Sequence, residues 1–487
     1  MILCHDLQQL QEVVVAKSLE DRFEEYGEMI GAALAHADRR LPAQWYLRGL
    51  MLPGGRKSVE PMAARVQPDN VRSAHQSMHH LVADADWSDT GLLAAVAEQL
   101  LPTLLPTLLP TLLKKQSGCH WIVDDTGFAK KGTHSVGVGR QYCGRLGKTD
   151  NCQVAVSLSI ANEHGSLPVA YRLYLPQDWA SDAARRKRAG VPPGIEFQTK
   201  NAIALGQIEQ ALAAGLPLGV VLADAAYGVE TEWRDQLTAW GLQYAVGVRE
   251  HTRVWHGRHR PAATPAPSPR GGRPRTRVVI DERHAPLTVL ELAQSLPARH
   301  WRNVTWRAGS NAPLRSRFTA LRVRAANERR HRAEEWLLIE WPKSERKPVH
   351  YWLCTLPATI SLKSLVNTAM SRWRIERDYQ ELKSELGLHH YEGRNWRGFH
   401  HHASLCIAAY GFLMRERLRS KKNSARLKTP ALPRGFRPRG AGADAAPRTA
   451  LDRDPGIQSG SAHRKTAAAM SLLRHKSASV ASKFLTQ

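Results

Sequence analysis

Across 487 residues the sequence carries 69 Lys and Arg against 44 Asp and Glu, a formal charge of +25, with 43% apolar residues. That length accommodates two or three domains around a sizeable core, and the charge points to an acidic polymer, nucleic acid ahead of membranes or acidic proteins. Six scattered cysteines without a C-x-x-C pair speak against a zinc ribbon or redox motif, and no run is apolar enough to cross a bilayer, so a reduced cytoplasmic protein is expected.

Residues 1 to about 100 read as helical. Leu10, Val13 and Val14 recur at helical spacing, as do Leu92, Leu93, Val96 and Leu100. Arg56-Lys57-Ser58-Val59-Glu60 looks like a helix start carrying positive charge. Short basic helices suit a DNA-binding domain, and they equally suit a plain helical cap. From Leu101 to Leu113 the chain repeats L-P-T-L three times. A proline every fourth residue blocks a regular helix, so 101–117 reads as a linker. The acidic residues Asp6 and Glu12 do not fit a signal peptide.

From His120 the pattern changes. His120-Trp121-Ile122-Val123 is a short apolar strand running into Asp124-Asp125-Thr126. Val154, Val156, Leu158 and Ile160 alternate as in a second strand, and Val169 to Leu175 reads as a third. A helix is expected from about Thr199 to Ala213, a buried strand over Leu218–Leu222 ending at Asp224, a helix over Trp233–Trp240 and a strand over Tyr244–Val248. Three strands, helix, strand, helix, strand is the order of an RNase H-like fold. Residues 257–277 are rich in Pro, Arg and Gly and read as a loop. Strand-like segments at 302–307, 317–324, 335–341 and 350–354 make a β-rich insertion at about 250–355. A long helix is expected from Leu362 to Leu386 and another from Ala403 to Leu418, closing a catalytic unit over 118–420. The stretch 421–487 holds 14 Lys and Arg against 3 Asp and few large apolar residues, the composition of a disordered basic tail.

Asp124 and Asp224 each sit just past an apolar strand. Side by side in one sheet, two such strands bring the carboxylates together, where a divalent cation relieves their repulsion. Oxygen donors with open positions suit Mg²⁺ or Mn²⁺. A strand-end aspartate is equally a turn former or a helix cap. The third candidate is Glu376 in Arg372-Trp373-Arg374-Ile375-Glu376, with Lys383 seven residues on. On a helix, Arg372, Glu376 and Lys383 share one face, and Ile375, Tyr379, Leu382 and Leu386 form the adjacent apolar face. The competing reading is a solvated helix with i,i+4 ion pairs.

The segment R-W-R-I-E-(x)6-K resembles the Y-(2)-R-(3)-E-(6)-K signature of bacterial insertion-sequence transposases of the DDE superfamily. V-D-D-T-G-F-A-K-K-G and L-A-D-A-A-Y-G resemble the same group's first and second acidic motifs, and Glu392-Gly393-Arg394-Asn395-Trp396 onward resembles its downstream segment. The likeness covers about residues 25 to 440. The signature's tyrosine falls at Ala369, and Asp125 stands as a rival to Asp124.

The resemblance implies an RNase H-like DDE core in which Asp124, Asp224 and Glu376 hold two divalent ions. It implies cleavage at element ends and strand transfer into target DNA, by a homodimer on double-stranded DNA in a bacterial cytoplasm. A nuclease that cuts without joining and a transposase-derived DNA-binding protein are the alternatives. Arg372 and Lys383 are expected at phosphates beside the scissile bond. The loop from Lys130 and Lys131 through Arg140 follows the first acid, and either lies along incoming DNA or is a solvated turn. The tryptophans of the insertion (Trp301, Trp306, Trp336, Trp341, Trp352) are core residues or base-stacking candidates. His400, His401 and His402 point in different directions on a helix, so phosphate contacts or surface positions are expected for them rather than a shared metal.

Overall fold

The computed structural model describes residues 17–105, 118–257, 285–307, 312–326 and 332–426, with 269, 271 and 272 between them. The expected helix at Leu10–Val14, most of the L-P-T-L stretch and the basic tail beyond 426 lie outside the described residues.

Among the described residues the helices come first: α1 Leu19–Ala33, α2 Arg40–Met51, α3 Val59–Val66, α4 Val71–Ala83 and α5 Asp89–Leu104. Ser18 and Asp21 form a capping box at the start of α1, which satisfies two of its unpaired N–H groups. On α5, Leu92, Leu93, Val96, Ala97, Leu100, Leu101 and Leu104 are buried along one stripe. The first L-P-T-L copy is therefore helix rather than linker. Pro102 removes one i→i−4 bond, to the Glu98 carbonyl, and only two residues of helix follow it. Lys57 is not a surface charge either. It is buried before α3, and its ammonium donates to the carbonyl oxygens of Leu50 (2.8 Å) and Leu52 at the end of α2. Burial, then Arg65, lowers its pKa to about 8.

The strands are β1 His120–Ala129, β2 Gly139–Cys143, β3 Lys148–Ala161, β4 Ser166–Leu173, β5 Val220–Ala223, β6 Tyr244–Val248, β7 Arg253–Trp255, β8 Leu287–Thr288, β9 Arg302–Arg307, β10 Leu314–Ala325, β11 Glu335–Glu340 and β12 His350–Cys354. They form one mixed sheet. β3 runs antiparallel to both β1 and β4, while β5 and β6 run parallel to β1. The core order is thus β4-β3-β1-β5-β6. Beyond β6 the β-rich segment continues the same sheet through β12, β11 and β10, because β12 pairs antiparallel with β6.

Short helices α6 Gln177–Ala180 and α7 Ala183–Arg188 follow β4. Then come α8 Lys200–Ala213, α9 Ala225–Gly228, α10 Thr231–Ala239, α11 Val289–Ser295, α12 Leu362–Met370, α13 Trp373–Ser384 and α14 Trp396–Arg426. β3 is buried without a break from Cys152 to Ala161, so helices cover both of its faces and its alternation does not mark a solvent side.

The expected 362–386 helix is two helices, broken at Ser371-Arg372 without a proline or glycine. α14 begins earlier than expected, at Trp396, and is buried on every side from Phe399 to Met414. It lies between the N-terminal helices and the sheet: Phe23 meets Phe412 edge-on, and the Tyr26 hydroxyl donates to the Ala408 carbonyl at 2.8 Å.

That position overturns the surface reading of the three histidines. His400, His401 and His402 are all buried. A helix enclosed on every side has no face to offer phosphates. His400 pairs with the Leu173 N–H (3.2 Å) and the Trp396 carbonyl (2.9 Å). His401 stacks on Trp87 at 3.6 Å, with Nδ1 3.1 Å from the Val82 carbonyl and Nε2 3.0 Å from the Trp87 carbonyl, and the single N–H of the neutral ring donates to one of the two. His402 meets the Tyr46 hydroxyl at 2.8 Å and the Gly387 carbonyl at 3.0 Å. Burial lowers the pKa of His401 and of His402 to about 4, which keeps both neutral.

Candidate active site

The parallel ladder between β1 and β5 ends at the Ile122–Leu222 pair. Two residues later on β1 comes Asp124, and two later on the β5 path comes Asp224. Asp124 is not past its strand, as expected from the sequence, but inside it. Antiparallel β3 continues to pair through Ala129, with Asp124 opposite Ser157. Asp224 does leave its strand and caps α9, its Oδ1 accepting the Ala226 N–H at 2.8 Å. This turn lies tightly on β6. A Cβ on Gly228 would fall 2.1 Å from the Gly247 carbonyl oxygen, so only glycine lets α9 sit there.

Glu376 stands in the first turn of α13, with two-thirds of its side chain exposed. Arg372, immediately before that helix, reaches both acids. Its Nη1 is 3.2 Å from Asp124 Oδ2 and its Nη2 is 3.2 Å from Glu376 Oε1. The i,i+4 relation expected on a continuous helix survives the break because Arg372 keeps helical φ and ψ. Burial raises the Asp124 carboxyl from its ordinary 3.8 to about 7; Arg372 opposes this, and the Asp224 and Asp125 carboxylates add to it.

Asp125 projects to other company. Its Oδ2 is 2.8 Å from the Lys200 ammonium at the start of α8. Consecutive strand residues point to opposite faces, and these contacts follow that alternation. Asp124 meets Arg372, and Asp125 meets Lys200.

Two buried tyrosines complete the surround. The Tyr379 hydroxyl is 2.6 Å from Ser157 Oγ, opposite Asp124 on β3. The Tyr227 hydroxyl, buried beside Asp125, Asp124 and Asp224, has no hydrogen-bond partner among the described residues. Burial raises the pKa of each well above the usual phenol value, and the nearby carboxylates add to the shift. Lys383 lies further along β1, its ammonium donating to the Gly127 carbonyl at 2.9 Å and standing 4.9 Å over the Phe128 ring.

The structure thus brings Asp124, Arg372 and Glu376 into contact and Asp224 within their electrostatic reach. Lys130 and Lys131 lie elsewhere, in a cleft against the 389–394 loop, and Arg140 is exposed on β2. The insertion tryptophans are largely engaged: Trp301 with Trp341, Trp306 with Phe318 and Trp336 with Arg322. Sequence reasoning missed Lys200, Tyr227 and Arg307. The Arg307 guanidinium lies 3.7 Å over the Trp373 ring, tying β9 to the helix of Glu376. Only the R-W pair next to the glutamate hinted at that contact.

Among the described residues, no three His, Cys, Asp or Glu side chains stand together closely enough to hold one ion. Arg372 spans the gap between Asp124 and Glu376. The surroundings nonetheless fit a hard divalent cation. Even with Arg372 beside it, the Asp124 carboxyl is pushed up by burial and neighbouring acids next to an unpartnered phenol, so a further positive charge would stabilise its ionised form.

The sequence model of the DDE superfamily endonuclease family matches residues 30–313, more than half of the chain. The match includes Asp124 and Asp224 and ends before Glu376. A curated relative, the probable transposase for insertion sequence element IS701 of Microchaete diplosiphon, is 30% identical over 197 residues. The aligned stretch spans 40% of this chain and 45% of that relative, so less than half of the relative's length is matched. Among solved structures, a piggyBac transposase synaptic complex with hairpin DNA aligns over 85% of this chain and 81% of its own, at 11% identity and a TM-score of 0.37.

Proposed function

Because the chain belongs to the DDE superfamily endonuclease family, we propose that it is a DNA transposase that cuts element ends and joins them to target DNA with two divalent ions, Mg²⁺ or Mn²⁺, held by Asp124, Asp224 and Glu376. The observation that carries this reading is the Arg372 guanidinium shared by Asp124 and Glu376 beside Asp224. It joins acids 252 positions apart, on a strand and a helix, at one point. The strand order β4-β3-β1-β5-β6, with β3 antiparallel and β5 and β6 parallel, supports an RNase H-like core.

When bound, such ions supply Lewis-acid stabilisation to the attacking and leaving oxygens of a phosphodiester. The chain's own residues do the rest. Asp124 gives up its proton to become a donor. Arg372, released from its two carboxylates, offers a planar fork to the phosphate beside the scissile bond. Lys383 offers a point charge further along the same backbone. Asp224 is oriented by its cap bond to Ala226, so it meets its ligand without reordering. Lys200 holds Asp125 away from this set. The N-terminal helices brace the site through α14, and double-stranded DNA with two ends to unite favours a homodimer on the substrate.

The test is Glu376→Gln, assayed with Mg²⁺ on duplexes carrying the DNA sequences found on either side of the gene. Cleavage and joining should fall at least about a thousandfold, with duplex binding within a factor of about three of wild type. Retained cleavage would overturn the assignment of Glu376. A wild type that cuts but never joins would leave a nuclease.

A further inference from the structure

A cleft of about 490 Å³ opens beside the end of β1, lined by Arg56, Lys130, Lys131, His134, His390 and Arg394. The one acid in its wall, Glu392, is paired with Arg56. Among the described residues neither Lys131 nor Arg394 meets a carboxylate, and both are exposed. Three separate stretches of chain build the cleft: the turn before α3, the loop after β1 and the loop before α14.

These stretches are fastened to one another. The Val136 N–H donates to the Arg394 carbonyl (3.0 Å), the Lys130 ammonium to the Tyr391 carbonyl (3.0 Å), and the Lys57 N–H to His390 Nδ1 (3.0 Å). Tyr391 is wedged in place. A Cβ on Gly393 or Gly398 would fall 2.1 or 1.9 Å from its hydroxyl. A cationic wall held this firmly needs little ordering to receive an anion. A second cavity of about 670 Å³ shares Arg56, His390 and Arg394 and prolongs the groove toward α4.

The cleft also lies in line with the candidate active site. Lys130 follows Asp124 by six residues along β1, about 20 Å at strand rise. Lys383 sits between them, on the Gly127 carbonyl. We propose that this cleft is a second phosphate subsite, which grips the backbone of the duplex whose scissile phosphate lies at Asp124. For a duplex laid along β1, that spacing reaches phosphates about six base pairs from the cut. The inference rests on the reading of the chain as a DNA-processing enzyme.

Lys131→Ala combined with Arg394→Ala removes two exposed charges and no backbone contact. Affinity of the full chain for a labelled duplex several helical turns long is measured by anisotropy as salt is varied. Each phosphate contact contributes about 0.9 to the slope of log affinity against log salt, so the double variant should be shallower by about 1.8. Between about 50 and 200 mM salt the wild type should then lose about twelvefold more affinity than the variant. Lys343→Ala with Arg346→Ala, an equal charge change in the turn before β12, should leave the slope within about 0.5 of wild type. Equal flattening by both pairs, or by neither, would overturn the subsite while leaving the enzyme reading intact. A wild type without duplex affinity would sink the enzyme reading itself.

Discussion

Removing the charge from Asp124 should make the metal-free protein more stable. Its carboxyl is raised from 3.8 to about 7, and about 1.36 kcal/mol per unit bounds the cost of the ionised form at about 4 kcal/mol. The side chain keeps 14% solvent exposure, which brings the expectation to about 2–4 kcal/mol. The sign follows from proton counting. Between about pH 4 and 7 the folded protein holds a proton that the unfolded chain has released, so stability falls as pH rises through that window and is flat above it. Asp124→Asn carries no such cost. Its advantage should therefore grow from about pH 4 and be complete above about pH 7, raising Tm by about 2–4 °C at pH 8 in EDTA. Mg²⁺ should reverse the order. Binding at ten times Kd stabilises wild type by about 1.4 kcal/mol and should do less for a variant that lacks one donor. Thermal melts of both proteins across pH 5–8, with and without Mg²⁺, read this directly. If Asp124→Asn melts no higher than wild type at pH 8 without metal, Asp124 is not a strained acid; if it gains as much from Mg²⁺, Asp124 is not a ligand.

Asp125→Asn breaks the Lys200 pair, yet cleavage should stay within about tenfold of wild type, whereas Asp124→Asn should lose at least about a thousandfold in the same assay. Arg307→Ala removes the guanidinium from the Trp373 ring. It should lower the single-turnover cleavage rate about 5- to 30-fold without altering duplex affinity, in line with about 1–2 kcal/mol for a partly desolvated cation–π contact. His401→Ala leaves one backbone carbonyl, of Val82 or Trp87, without its donor and empties the space against the Trp87 ring. Denaturant melts should show a loss of about 2–4 kcal/mol, while cleavage per folded molecule is unchanged.

What the sequence made legible was local. Tyr244–Val248, Arg302–Arg307 and His350–Cys354 agree with expectation residue for residue, because each is a short apolar or alternating run. The spacing of Arg372, Glu376 and Lys383 likewise placed one guanidinium beside one glutamate. Features decided by distant partners were not legible. Asp124 and Asp125 remain strand because β3, some thirty residues later, pairs with them. The break before Trp373 has no proline or glycine to announce it, and Lys200 meets Asp125 across 75 residues. The histidines misled because three polar residues in a row look solvated. Only the helices packed around α14 reveal that the whole segment is enclosed.

The pairing of β12 with β6 carries one more consequence. Val248, the last residue of β6, stands opposite Tyr351 on its antiparallel neighbour. About a hundred residues therefore leave the core and return to it through a gap one strand spacing wide, the geometry that a tight turn normally closes. Material added or trimmed at this doorway leaves the strands of Asp124 and Asp224 in place, whereas on trimming the helix of Glu376 would lose its Arg307–Trp373 contact. A pared-down chain with a short turn joining the two strands would keep the β4-β3-β1-β5-β6-β12 ladder, and the candidate acids could be studied apart from the excursion's hold on α13.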